Sequence, residues 1–153
     1  MKAEHINAFI QGAQSTFSMF FGENAALGKV FLKGSPYRAE HVCVEIGITG
    51  SLKGKVLYNM NQQSAFFIAS KLMMGMPVTA LDDMTKSAVS EMANMISGQV
   101  ASAFFSDGLE IDITPPTLHE ADAAAIKGLT NQIVCIPLSF PGGAVFEIDV
   151  ALA

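Results

Sequence analysis

Residues 82–107 read DDMTKSAVSEMANMISGQVASAFFSD, and the periodicity of this stretch decides how the rest of the chain must fold. It contains no proline, and Asp82 or Asp83 can cap a first turn by accepting backbone N–H bonds. At about 100° per residue, Val89, Met92, Ala93, Ile96, Val100, Ala103 and Phe104 fall on one side, which makes a core face. Ser87, Glu91, Asn94 and Gly98 fall on the opposite side, in a narrow polar stripe. Glycine inside a helix costs about 1 kcal/mol relative to alanine. Either a neighbour comes close at Gly98 or the backbone there is kept bare. The spacing predicts one long helix with a packed face and a candidate functional face.

Downstream of this helix, Leu109 to Ile113 is predicted as a strand. Thr114-Pro115-Pro116-Thr117 follows and cannot be a regular central strand, because proline donates no ladder bond. Glu120 to Thr130 reads as a loop or a short helical turn. Gln132 to Phe140 and Ala144 to Leu152 form a closing hairpin across Pro141-Gly142-Gly143. Upstream, Asn61 is expected to cap a helix from Gln62 to about Met74, with Ala65, Phe66, Ala69, Leu72 and Met73 apolar and Gly75-Met76-Pro77 as its end. Val42, Val44, Ile46 and Ile48 alternate with Cys43, Glu45, Gly47 and Thr49, the mark of a half-buried strand. Its hairpin partner is Lys55 to Met60. Leu27 to Lys33 is predicted as one short strand before the turn signal Gly34-Ser35-Pro36. The N-terminal stretch Lys2 to Phe21 is predicted as a helix with the stripe Ile6, Phe9, Ile10, Ala13, Phe17 and Phe20, stopped by Gly22. Helices and strands are partly segregated, so an α+β fold is expected, with long helices packed on an antiparallel-rich sheet. Residues 1–153 are expected to form a single domain, with no linker. Its halves are loosely similar, a hint of internal duplication.

Half the residues are apolar, only 15% are charged, and the net charge is −5 with no lysine or arginine cluster. Nucleic acid is therefore not an expected partner, since its binding relies on neutralised phosphates. No run of about 18 apolar residues predicts a membrane span. The N-terminus MKAEHINAFIQG lacks the apolar core of a signal peptide. The expectation is a soluble, cytoplasmic protein. Cys43 and Cys135 fall in separate strands that could be neighbours, and without CxxC spacing they read as reduced core thiols. There is no GxxxxGK[ST], GxGxxG or GxSxG motif. His5, His41 and His119 are too scattered to predict a metal site, so no metal or cofactor of its own is expected. The cluster Met73, Met74 and Met76 reads as flexible core.

The polar stripe and the Pro-Pro turn carry a resemblance. Ser87-x3-Glu91-x2-Asn94 followed at a distance by proline resembles the signature of the CheC/CheX/FliY family of chemotaxis phosphatases. MKAEHINAFI, IGITGSLKGKVLYNM, SKLMMGMPV and ITPPT resemble its CheX branch in particular, and they run the length of the chain in order. Pro116 arrives one residue early for the family spacing, with Pro115 beside it, so either proline could fill the family position. The resemblance implies a CheC-like fold and hydrolysis of the aspartyl phosphate of a CheY-type response regulator. It implies catalytic roles for Asn94, which would orient the attacking water, and Glu91, which would pair with a lysine of the regulator. Ser87, Gly98 and Pro116 would bind or frame the partner. Mg²⁺ would be held by the regulator's own site.

A Ser–Glu–Asn stripe alone is ordinary solvated helix surface, and only the chain-wide resemblance sets it apart. Glu4-x2-Asn7 repeats the spacing near the N-terminus without an upstream serine or a matching proline, and it is read as structural. The alternative function is a non-catalytic adaptor that binds a phosphorylated response regulator or a flagellar component. A homodimer is expected from the apolar composition and from the two hairpins, which are expected to offer sparsely charged strand edges. The resemblance adds that CheX-like proteins, with one site per chain, pair as dimers.

Overall fold

The computed structural model describes residues 1–34, 40–120 and 132–152. Helix α1 spans Ala3–Phe21 and ends at Gly22, whose left-handed backbone lets its N–H return to the Phe17 carbonyl. Strands β1 (Ala26–Leu27) and β2 (Phe31–Lys33) precede the hairpin β3 (Val42–Gly50) and β4 (Gly54–Met60). Helix α2 covers Gln62–Leu72 and helix α3 covers Asp83–Ser106. Then come β5 (Ile111–Ile113), β6 (Thr117–Glu120) and the hairpin β7 (Ile133–Ser139) with β8 (Val145–Leu152).

All strand pairings are antiparallel, and the main path across the sheet is β1-β7-β8-β4-β3-β5, with β2 also on β7 and β6 also on β3. From either edge the sheet reads alike: short strands, then a hairpin, with the second arms β4 and β8 meeting at the centre through pairs such as Val56 with Val150. Each half supplies the short strands that flank the other half's hairpin, an arrangement that fits an internal duplication. The helices share one face of the sheet. Their apolar stripes close one core with Val42, Val44, Ile46, Ile48, Val56, Tyr58, Phe146, Ile148 and Val150.

Several expectations are corrected. The hairpins are not edges: β4 and β8 lie at the centre, and the free margins belong to the short strands β1, β2, β5 and β6. The strand expected over Leu27 to Lys33 is broken at residues 28–30. Opposite the break stands Pro137, whose carbonyl accepts from the Gly28 N–H at 2.8 Å. The edge of β7 on which that carbonyl lies lacks a proline N–H, so a continuous neighbour would miss a ladder bond there. Phe20 is exposed and Phe21 buried in its place, and α2 stops at Leu72 with Met74 in a left-handed conformation. Ile68, missing from the predicted stripe of α2, is buried, whereas Phe66 is only half-buried. Residues 117–120 form β6, because the two prolines precede the strand and ask nothing of its ladder. The strand β3 is more than half-buried: Cys43, on the face away from the helices, is buried in a small second cluster that also holds Leu57 of β4 and Ala151 of β8. The two cysteines lie on β3 and β7 with two strands between them, so they are neither neighbours nor bridged. Ser35 and Pro36 of the first turn signal, and residues 121–130 of the predicted loop, lie outside the described residues.

Candidate functional site

Helix α3 is set rigidly before its outer face matters. Asp82 caps it, its carboxylate accepting from the Thr85 N–H at 2.9 Å and from the Thr85 hydroxyl at 2.8 Å. The Thr85 N–H bond, then the hydroxyl bond, hold the Asp82 carboxyl below its ordinary pKa, so it stays ionised at the positive end of the helix. Val89, Met92, Ala93, Ile96, Val100 and Phe104 are buried as predicted, and Ala103 is half-buried. A buried hydrogen bond of 2.7 Å between the Tyr58 hydroxyl of β4 and the Ser97 hydroxyl fixes the rotation of α3 over the sheet. Burial pushes the Tyr58 phenol well above its ordinary pKa, so the pair stays neutral. Sequence reasoning missed this pair. Its only signal was a serine beside the apolar stripe, and nothing local to Ser97 points to Tyr58. On one side α3 packs against α1 so tightly that a Cβ on Gly12 would stand 2.8 Å from Val100 Cγ2.

With the inner face so fixed, Ser87 and Glu91 are exposed, and Asn94 and Gly98 are half-exposed on the outer face. Among the described residues, the side chains of Ser87, Glu91 and Asn94 make no hydrogen bond or ion pair. Among the described residues, nothing beyond the helix's own adjoining backbone lies within 4 Å of the place a Cβ would take on Gly98. Among the described residues the stripe is thus polar, unengaged and sterically open. Such a surface can orient a water molecule or meet a partner, and among those residues Ser87 hydrogen-bonds to no side-chain base that would activate it as a nucleophile.

Pro115 and Pro116 form the turn between β5 and β6, strands that both contact α3. Thr114 holds the start of that turn on β3: its hydroxyl accepts from the Gly47 N–H at 2.8 Å, and its own N–H donates to the Gly47 carbonyl at 3.0 Å. At the far end Lys86, beside Ser87, pairs with Glu120 at 2.7 Å. Pro116 is half-buried and Pro115 exposed. The structure brings Ser87, Glu91, Asn94 and Gly98 onto one face, and the proline turn joins two strands that contact the same helix. Glu4 and Asn7 are exposed on α1, so packing does not account for them. The positions downstream of each pair are buried alike: Phe9, Ala13 and Phe17 on α1, Ile96, Val100 and Phe104 on α3.

Across the sheet, away from α3, the ligand atoms of Cys135, Glu147 and Asp149 lie within 4.8 Å of one another. The Lys33 ammonium pairs with both carboxylates, at 3.3 Å to Asp149, and the Asn59 amide donates to Asp149 at 2.7 Å. Burial, then the hydrogen bond that the protonated carboxyl donates to Asp149, pushes Glu147 up to about 7. An ammonium already supplies the positive charge there. Among the described residues no helix is long and apolar enough to cross a membrane.

The arrangement is an α+β protein with an open polar stripe along the outer face of α3. The family model described as Chemotaxis phosphatase CheX matches residues 42–139, which include the stripe and both prolines. A curated Thermotoga maritima protein named CheY-P phosphatase CheX is 28% identical over 152 residues, covering 99% of this chain and 97% of that protein. Among solved structures, a CheX–CheY–BeF3–Mg²⁺ complex from Borrelia burgdorferi contains a chain with 28% identity and a TM-score of 0.80, covering 99% of each chain. A chemotaxis protein CheX from Desulfovibrio desulfuricans superposes with a TM-score of 0.85 at 24% identity, covering 98% of this chain and 99% of that one. The chain belongs to the CheX family of chemotaxis phosphatases.

Proposed function

We propose that this protein hydrolyses the aspartyl phosphate of a CheY-type response regulator, with the outer stripe of α3 as its catalytic and docking surface. The observation that carries the proposal is the stripe itself: Glu91 and Asn94 are accessible and unengaged on a helix fixed by its cap, its core and the Tyr58–Ser97 bond. The family match over residues 42–139 supports it.

The chemistry asks little of the protein. Water forms a P–O bond as the bond to the aspartyl oxygen breaks, and the products are a carboxylate and inorganic phosphate. The leaving carboxylate needs no proton, and the phosphoryl group is already electrophilic, so the main demand is a water held in line. The Asn94 amide can accept from that water and donate to a phosphoryl oxygen, which orients without acting as a base. Glu91, one helical turn earlier, would pair with a lysine of the regulator and fix the docking register. Ser87 would add a hydrogen bond, Gly98 would admit a close backbone, and Pro116 would frame one flank. The metal belongs to the regulator: its Mg²⁺ would neutralise the phosphoryl oxygens from the far side, and no step needs a metal on this chain.

A homodimer joined through the short edge strands, two on each margin of the sheet, is part of the proposal. Such pairing would leave α3 of each copy facing outward. The place of action is the cytoplasm, where such regulators work. The experiment is the decay of a regulator phosphorylated by a small-molecule phosphodonor, with and without this protein. Faster phosphate release is expected, and an unchanged decay for every regulator of the same genome would refute the function.

A further inference from the structure

The outer face of α3 does not end with its polar stripe. Positions 84, 87, 91, 94, 98, 101 and 105 recur alternately three and four apart, so they form one seam along the helix. Its middle is polar or small: Ser87, Glu91, Asn94, Gly98 and Ala101. Its two ends are large and apolar, Met84 at 68% exposure and Phe105 at 69%. Neither belongs to the core. From Met84 to Phe105 the helix rises about 31 Å at 1.5 Å per residue. That length matches the width of a standard protein interface of roughly 800 Å² per partner. Methionine and phenylalanine are enriched in such interfaces, while the polar residues between them leave room for a specific contact.

We propose that Met84 and Phe105 are the two apolar anchors of the docking surface for the phosphorylated regulator, bracketing Glu91 and Asn94. The inference rests on the phosphatase reading above and deepens it: the partner would meet α3 along its whole length, not at the Glu91–Asn94 pair alone. Continuity with that stripe on one rigid helix selects the occupant. A regulator surface seated on Asn94 must pass over the flanking turns, because Gly98 holds no side chain to keep it off. The anchors then set affinity and register, and the chemistry stays with Asn94.

The test measures phosphate release across regulator concentrations for Met84→Ser and Phe105→Ser, with light scattering on each variant. Val145→Ser, which removes an exposed apolar residue of the sheet outside the helix layer, serves as the control. Each anchor variant is expected to raise KM about tenfold, the effect of losing one buried apolar side chain, with kcat and molecular mass unchanged and the control silent. Unchanged KM in both variants overturns the inference, and so does a loss of dimer mass without a KM change, which assigns the anchors to a second copy. A fall in kcat alone also overturns it. If the unsubstituted protein neither binds nor dephosphorylates any regulator, the phosphatase reading fails and takes this one with it. An active parent with silent variants removes only the anchors.

Discussion

Replacing Gly98 with alanine separates folding from docking, because the two respond with opposite signs. Gly98 lies in the interior of α3, and among the described residues no atom beyond the helix's own adjoining backbone stands within 4 Å of the Cβ position. The new methyl group therefore meets only the contacts any helical alanine makes. Alanine in a helix interior is favoured over glycine by about 1 kcal/mol. For a domain of this length that gain corresponds to a rise in Tm of roughly 2–4 °C. Docking should suffer instead. A methyl group inserted into a close contact costs about 1–3 kcal/mol when neither side can yield, or roughly a fivefold rise in KM at the lower end. Thermal unfolding followed by circular dichroism reads the first effect, and phosphate release across regulator concentrations reads the second. A more stable variant with an unchanged KM would refute the idea that Gly98 is a point of close approach. A less stable variant would refute the open environment assigned to it.

Other outcomes follow from the same geometry. Glu91→Ala should raise KM for the phosphorylated regulator more than it lowers kcat, since the proposed role is an intermolecular ion pair; a variant with normal KM and reduced kcat would move Glu91 into the chemical step. Gly12→Ala should destabilise the fold by about 1–2 kcal/mol, because its methyl meets the stiff Val100 side chain at the α1–α3 seam and the helix-propensity gain offsets only part of that cost. A higher urea midpoint for that variant would contradict the tight seam. Glu147, its carboxyl pushed up to about 7 chiefly by burial and then by Asp149, keeps in the folded state a proton that the unfolded chain releases above about 4.5. Its contribution to stability should fall as pH rises from about 4.5 to 7 and level off above. Glu147→Gln should accordingly gain stability relative to the parent across that window in urea titrations, and a pH-independent difference would exclude this linkage.

The parts of the fold carried by strong local signals were legible in the sequence. The helix of residues 83–106, both hairpins, the cap at Asn61 and a cap at Asp82 or Asp83 followed from periodicity and short-range hydrogen bonding, and the structure selects Asp82. Strand order was not legible. Alternation says that a strand has an inner face but not which neighbour it takes, so the hairpins looked like edges while β4 and β8 meet at the centre. The break at residues 28–30 depends on Pro137, far away in sequence, and β6 is four residues long with a histidine and a glutamate in it. The site divides in the same way. Ser87, Glu91, Asn94 and Gly98 share a face because helical spacing dictates it. The Tyr58–Ser97 bond and the Thr114–Gly47 pairing depend on the tertiary arrangement, and no spacing within α3 encodes them.

The central claim is that Asn94 places the water that attacks the aspartyl phosphate. Asn94→Ala leaves every buried contact of α3 in place, so the variant should match the parent in melting temperature and in mass by light scattering. Removing one orienting group from a reaction that depends on positioning should slow the saturated step by about a hundredfold or more. The most direct measurement is the rate of phosphate release from a phosphorylated CheY-type regulator held at saturating concentration with parent or variant protein. The account predicts a folded Asn94→Ala protein that releases phosphate little faster than the regulator alone. Release at the parental rate by that folded variant would contradict it.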